Sequence, residues 1–207
     1  LLEKHRLEYP DSWAVKQYEN IAQAPNKTYD TIVSNALSKF STYDTEEMCS
    51  FLSADKLDFR CLGQKPTIIF VEVSDTDRST ENIVNLFFTQ AISELCIYAD
   101  SFTDGELPCP VRFMLDDFPS IYIKDIDVAI ANIRSRKISL FLVIQNFAQL
   151  KNTYGENAET IIDNCDTLIF TGTNSPETAR QIGLRCNKSV ETILRMPLNH
   201  SWIFRRG

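Results

Sequence analysis

Asp116 and Asp117 stand side by side at the end of the mainly apolar run Val111-Arg112-Phe113-Met114-Leu115. A second run, Ser139-Leu140-Phe141-Leu142-Val143-Ile144, ends as abruptly at Gln145. Runs of this length read as strands buried on both faces of a parallel sheet. Open parallel sheets place their chemistry at the carboxyl ends of the strands. Two adjacent carboxylates at such an edge suit a Mg-nucleotide hydrolase. One holds the metal, usually through water, and its neighbour polarises the attacking water. Gln145, at the end of the next strand, would then meet the terminal phosphate. The usual companion is a phosphate-cradling loop of the form G-x-x-x-x-G-K-[ST], and it occurs nowhere in these 207 residues. The carboxylates and the missing loop together point to part of an ATPase.

Each of these residues also has a plainer reading. Acidic side chains end strands simply because strands end at water, and a polar residue such as Gln145 must follow any buried strand. Arg134 and Arg136 lie between a helical stretch and the Gln145 strand. Cations there favour the dipole of a helix C-terminus; the sharper alternative is an arginine finger reaching a neighbouring subunit's nucleotide. Asp75 and Asp77 read first as caps for a helix beginning near Thr80, and second as metal ligands. The turn Thr171-Gly172-Thr173-Asn174-Ser175 is a connection and helix cap, or a loop on the nucleotide side.

Positioning such residues needs a core, and 207 residues can bury one. The hydrophobic and charged fractions, 43% and 24%, are those of an ordinary globular protein. No apolar stretch approaches the roughly 18–20 residues of a membrane span, and none of these residues reads as a secretory signal. The chain starts Leu1-Leu2-Glu3 without a methionine, so it is expected to come from a longer protein, with any membrane anchor outside these residues. The formal charge of −7 argues against a nucleic-acid-coating surface. It leaves room for a local basic rim around Arg134, Arg136 and Lys137. The six cysteines form no C-x-x-C pair, and with only His5 and His200 no zinc pattern emerges. They are expected to be buried reduced thiols.

Residues 1–64 read as helical. Asp11 or Ser12 can cap a helix through Trp13, Tyr18 and Ile21, which Pro25-Asn26 breaks. Tyr29, Ile32, Val33, Ala36, Leu37 and Phe40 recur at helical spacing, and Thr45-Glu46-Glu47 opens a third helix. Trp13 and the aromatic stripe are expected to be core. After Gly63-Gln64-Lys65-Pro66 the character changes to alternating strands and helices. Strands are expected at Thr67–Val73, Val111–Leu115, 139–145, Thr167–Thr171 and Trp202–Arg205. Helices are expected at Thr80–Ala99, Ile126–Arg134, 147–153 and 157–163, with another opened by Ser175-Pro176-Glu177, where proline suits the first helical position. The alternation predicts an α/β fold, a parallel sheet with helices on both faces.

Five segments carry a family resemblance: Val-Arg-Phe-Met-Leu-Asp-Asp-Phe-Pro-Ser-Ile (111–121), Ile-Arg-Ser-Arg-Lys-Ile-Ser (133–139), Ile-Gln-Asn-Phe-Ala-Gln-Leu (144–150), Thr-Ile-Ile-Asp-Asn-Cys-Asp (160–166) and Phe-Thr-Gly-Thr-Asn-Ser-Pro-Glu-Thr-Ala (170–179). The chain resembles the TraG/TraD-type conjugative coupling proteins, the coupling ATPases of type IV secretion systems. Ile68–Asp77, Met196-Pro197-Leu198 and Phe204-Arg205-Arg206-Gly207 fit the same family. Residues 65–207 match closely, as the C-terminal part of a RecA-like, P-loop nucleotide-binding domain; residues 1–64 match more loosely, as the end of the family's inserted all-alpha domain. The resemblance implies a membrane-anchored homo-hexameric ATPase at the cytoplasmic face of the bacterial membrane, using ATP and Mg2+. It implies coupling of a relaxase-bound DNA strand to the secretion channel, so that relaxosome, single-stranded DNA and channel proteins are the expected partners.

Residue by residue, the resemblance makes Asp116 the Walker B metal position and Asp117 the catalytic acid, where the family usually has Glu, one methylene longer. It makes Gln145 the phosphate sensor and Arg134 the trans-acting arginine, with Arg136 the second claimant. The Walker A lysine has no counterpart, so the isolated chain is expected to be inactive. Two other readings remain: a fragment of another hexameric DNA translocase, or a docking module for relaxosome or secreted proteins. Residues 1–64 are expected to carry partner recognition rather than catalysis, through exposed polar side chains such as Glu46, Glu47 and Lys56.

Overall fold

A computed structural model describes residues 6–43, 46–53, 57–73 and 80–205. The chain divides into two compact units, 1–57 and 58–207. Asp75 and Asp77, proposed above as caps, lie outside the described residues, as do Thr45, Lys56 and the side chain of Glu47.

The first unit is helical as expected: α1 (Trp13–Ala22), α2 (Asn26–Phe40) and α3 (Glu46–Leu52). Of the two caps proposed for α1, Ser12 serves: its hydroxyl accepts from the Val15 amide at 3.3 Å. Pro25 stands just before α2, where its missing N–H costs nothing. The aromatic stripe, however, is not core. Trp13 is 76% and Phe40 67% exposed, and α2 has no buried residue. A short helical unit has too little second layer to cover a stripe of this width.

The second unit is α/β. In chain order it holds α4 (Arg60–Gln64), α5 (Glu81–Asp100), β1 (Val111–Leu115), α6 (Ile126–Asn132), β2 (Ile138–Leu142), α7 (Phe147–Tyr154), α8 (Asn157–Asp163), β3 (Thr167–Phe170), α9 (Pro176–Cys186), α10 (Val190–Leu194) and β4 (Trp202–Arg205). The expected helix at 126–134 ends at Asn132, and a 3-10 turn, Ile133–Arg136, follows. β1 and β2 pair in parallel, Val111 opposite Ile138 and Leu115 opposite Leu142. β3 and β4 pair antiparallel. The parallel pairing expected of an α/β fold is present at β1 and β2, while α9 and α10 return the chain so that β4 runs against β3.

Burial on both strand faces is corrected. Val111, Phe113, Leu115 and Ile138 enter a core with Phe88, Ile92 and Leu95 of α5 and with Leu150 and Ile161. On the other face Met114 is 70% and Phe141 47% exposed. Among the described residues the helices supply one covering layer, and Arg112 and Met114 alternate with the buried positions as a one-sided strand requires.

The strand expected at Thr67–Val73 has no ladder. Its Ile68 and Phe70 are 78% and 91% exposed. An apolar β-branched run becomes a strand only where a neighbour accepts its hydrogen bonds, and none of the described residues does. The cysteines differ as well: all six are free, but Cys49 is exposed and the other five are half-buried rather than fully buried.

A smaller core forms where Phe170 of β3 meets Ala179 and Ile182 of α9 and Ile193 of α10. Ser175 opens α9 by accepting from the Thr178 amide at 3.3 Å, with Pro176 at the first helical position.

Candidate active site

The parallel register brings both strands to a common edge. Leu115 lies opposite Leu142, the Val143 amide donates to the Leu115 carbonyl at 3.0 Å, and the Phe118 amide donates to the Val143 carbonyl at 2.9 Å. Asp116 and Asp117 therefore sit at the carboxyl end of β1, beside the carboxyl end of β2, and both are exposed. Immediately after them Phe118 and Pro119 dive into the core, Phe118 with 0% exposure. That burial bends the chain, and Asp117 takes a left-handed backbone, φ 50°. Aspartate tolerates this region better than most residues.

Local hydrogen bonds set the direction of each carboxylate. The Asp117 amide donates to Asp116 Oδ1 at 3.1 Å. The Ser120 hydroxyl donates to Asp117 Oδ2.

The segment after the carboxylates is irregular, yet firmly held. Thr153 Oγ1 donates to the Pro119 carbonyl at 2.7 Å, and the Asn85 side-chain oxygen accepts the Tyr122 amide at 2.8 Å. The Tyr154 hydroxyl donates to the Ile121 carbonyl at 2.5 Å and accepts the Ile123 amide at 3.2 Å. Its ring stacks on Phe118 with centroids 5.0 Å apart. Burial pushes the Tyr154 hydroxyl up to about 12. These three side chains give an irregular backbone the partners that a ladder would otherwise supply.

Asp116, Asp117 and Ser120 line an open cleft of about 730 Å³ together with Glu81, Asn85 and Gln149. Gln145 lies exposed two residues beyond Val143 and accepts from Gln149 Nε2 at 3.4 Å, so it reaches the cleft wall through Gln149. The side-chain oxygen of Gln149 is buried and has no hydrogen-bond partner among the described residues.

Arg134 is not brought to this cleft. It lies in the turn before β2, at the amino end of the strands, so roughly the length of a five-residue strand, ~16 Å, separates it from the carboxylates. It is 85% exposed and pairs with Asp166 at 3.6 Å. Arg136 is committed elsewhere, to Asp100 and to the Asn132 carbonyl.

Sequence reasoning missed Ser120, Glu81 and Gln149. Side chains three residues apart eclipse across a 3-10 turn, so the Asp117–Ser120 spacing carried a signal. Glu81 and Gln149 had none, because only folding brings α5 and α7 to the edge.

The donor set has a consequence for metal. Among the described residues no group of three or more His, Cys, Asp or Glu could hold an ion. Asp116 fits the habit of Mg2+, which keeps several waters and takes one or two carboxylates plus substrate phosphates. The residues present thus fit the metal end of a Mg-nucleotide, while the phosphates find no glycine-rich cradle in this sequence.

Three comparisons bear on these observations. A family model described as Type IV secretory system Conjugative DNA transfer matches residues 4–191. Comparison with curated proteins finds no match. Among solved structures, plasmid coupling protein TrwB in complex with the non-hydrolysable GTP analogue GDPNP is similar, with a TM-score of 0.66 at 14% identity over 91% of this chain and 49% of that one. TrwB in complex with ADP and Mg2+ is similar at TM-score 0.65 and 14% identity, over 89% and 48%. The likeness gives the fold, RecA-like and α/β. The chain spans about half the length of these structures. No helix among the described residues is long and apolar enough to cross a membrane.

Proposed function

The chain belongs to the type IV secretory system conjugative DNA transfer family, and on that premise we propose that it forms part of the ATPase of a conjugative coupling protein. Residues 65–207 are the second part of the nucleotide-binding domain, and residues 1–64 the end of an all-alpha domain that recognises partners. The observation that carries the reading is the placement of Asp116 and Asp117 at the carboxyl end of β1, beside the parallel β2, facing an open cleft.

In this reading ATP with Mg2+ is the cofactor; the similar TrwB has been solved with a non-hydrolysable ATP analogue and with ADP and Mg2+. The metal neutralises phosphate charge when bound. Asp116 would hold it, with water completing the shell. Asp117 accepts a hydrogen bond from a water and orients it. Gln145 donates its amide toward the terminal phosphate. Arg134 lies too far from its own chain's carboxylates to act there, and serves the nucleotide of a neighbouring copy in a hexamer. The partners are relaxosome, single-stranded DNA and secretion channel, at the cytoplasmic face of the membrane, with anchoring segments supplied elsewhere in the protein.

The test is Asp117→Asn in the protein that carries this chain together with its P-loop. Turnover should fall by at least a hundredfold while nucleotide affinity stays within about threefold, because the lost interaction belongs to the transition state. Asp117→Glu should keep or raise turnover by restoring the family's usual reach. Hydrolysis by Asp117→Asn at the unmutated rate would remove Asp117 from the mechanism.

A further inference from the structure

We infer that Ser120 is the positioning residue for Asp117, an assignment that rests on the ATPase reading of the cleft. Asp117 stands at the first turn of the 3-10 segment Phe118–Ser120, where an aspartate normally spends its carboxylate on a backbone amide of that turn. Here it makes no such bond. The Ser120 amide goes instead to the Asp117 carbonyl at 2.9 Å, and the Ser120 hydroxyl takes Asp117 Oδ2. One carboxylate oxygen is therefore held by a side chain, and Oδ1 keeps its lone pairs for a water.

The hold matters because Asp117 is short and exposed. A solvent-facing carboxylate turns about its side-chain bonds, and each alternative direction removes it from the water it must orient. Ser120 can restrict that freedom only if its own place is fixed, and it is. Pro119 before it is buried and bonded to Thr153, while Ile121 after it is buried and bonded to Tyr154. The hydroxyl is thus presented by a turn nailed to α7 on both sides. Ser120 is itself exposed, so a larger side chain fits there.

The experiment uses the intact protein carrying its P-loop, with the isosteric pair Ser120→Thr and Ser120→Val. Threonine keeps the hydroxyl; valine keeps the shape without it. A hydrogen bond to a charged group supports a loss of roughly tenfold to a hundredfold in kcat for the valine variant. KM and the thermal midpoint should match those of the threonine variant, which should turn over at close to the unmutated rate. Equal kcat in the two variants would overturn the role of Ser120, and so would a valine loss confined to KM or to stability. Asp117→Asn, assayed in parallel, keeps the two levels apart: if that variant stays active, the reading of the cleft fails; if it is dead and Ser120→Val is fully active, only the positioning role fails.

Discussion

Arg136 grips Asp100 through two parallel hydrogen bonds, Nε to Oδ1 at 2.8 Å and Nη2 to Oδ2 at 3.1 Å. The pair ties the turn before β2 to the last residue of α5. It also raises the Arg136 guanidinium above its ordinary value, chiefly through the hydrogen bond to Asp100. Two residues away, Arg134 makes an exposed ion pair with Asp166 at 3.6 Å. Two arginines that share one spacing signal are therefore different objects: one a rivet, the other an exposed cation in a long ion pair.

Arg136→Ala should destabilise the chain by about 1 kcal/mol, the value of a charge-assisted pair discounted for the exposure of Asp100. Arg134→Ala should change stability by less than about 0.5 kcal/mol, as exposed substitutions do. In the assembled protein Arg134→Ala should nevertheless cut hydrolysis strongly. Subunits lacking Arg134 but with intact carboxylates should regain turnover beside neighbours that carry it. Urea melts of the two variants, followed by mixed-subunit assays, check this; absence of rescue would leave Arg134 as a surface cation.

The isolated 207-residue chain should not bind Mg-ATP at micromolar concentration. Backbone amides and a lysine normally hold the β and γ phosphates, and this sequence has no such loop. Metal affinity at Asp116 and Asp117 does not replace them. Calorimetric titration with Mg-ATP decides the point, and a single saturable micromolar site would contradict it.

Tyr154→Phe should cost about 2–3 kcal/mol, because the Ile121 carbonyl and Ile123 amide would remain buried without their partner. The hydroxyl also gives stability a pH dependence. Its pKa rises from 10.0 to about 12 through burial, so the folded chain keeps the proton after the unfolded chain has lost it. This contribution is fully present below pH 10.0 and is lost as pH rises through about 12. Denaturant melts across that alkaline window should fall more steeply for the unmutated chain than for Tyr154→Phe. Parallel slopes would show that the hydroxyl is not held as described.

Gly183→Ala should destabilise despite the helical gain of about 1 kcal/mol that alanine brings. A Cβ at Gly183 would lie 2.7 Å from the Lys188 carbonyl oxygen, and the Lys188 amide is itself bonded to the Gly183 carbonyl at 2.9 Å. The clash is with backbone that has nowhere to move, so a net loss of about 1–3 kcal/mol is expected. A raised melting temperature for Gly183→Ala would mean that α9 and α10 separate easily.

Much of the local structure was legible in the residues themselves. Ser12 and Ser175 act as the caps their types suggest, Pro176 opens α9, and the apolar runs become β1 and β2 with the carboxylates at the carboxyl end of β1. These features depend on neighbours within a few positions, and a linear sequence displays such neighbours. Three matters were settled only by tertiary structure. Ile68 and Phe70 promised a strand, but a strand depends on a partner that lies elsewhere in a chain. Met114 and Phe141 looked buried, but burial depends on a second layer that the described helices do not supply. Arg134 and Arg136 shared one spacing signal, and the end of α5 placed Asp100 beside Arg136 rather than Arg134. Hydrophobic and propensity signals act at short range along the chain; pairing, covering and charge neutralisation act across space, between residues whose separation in sequence carries no mark of their contact.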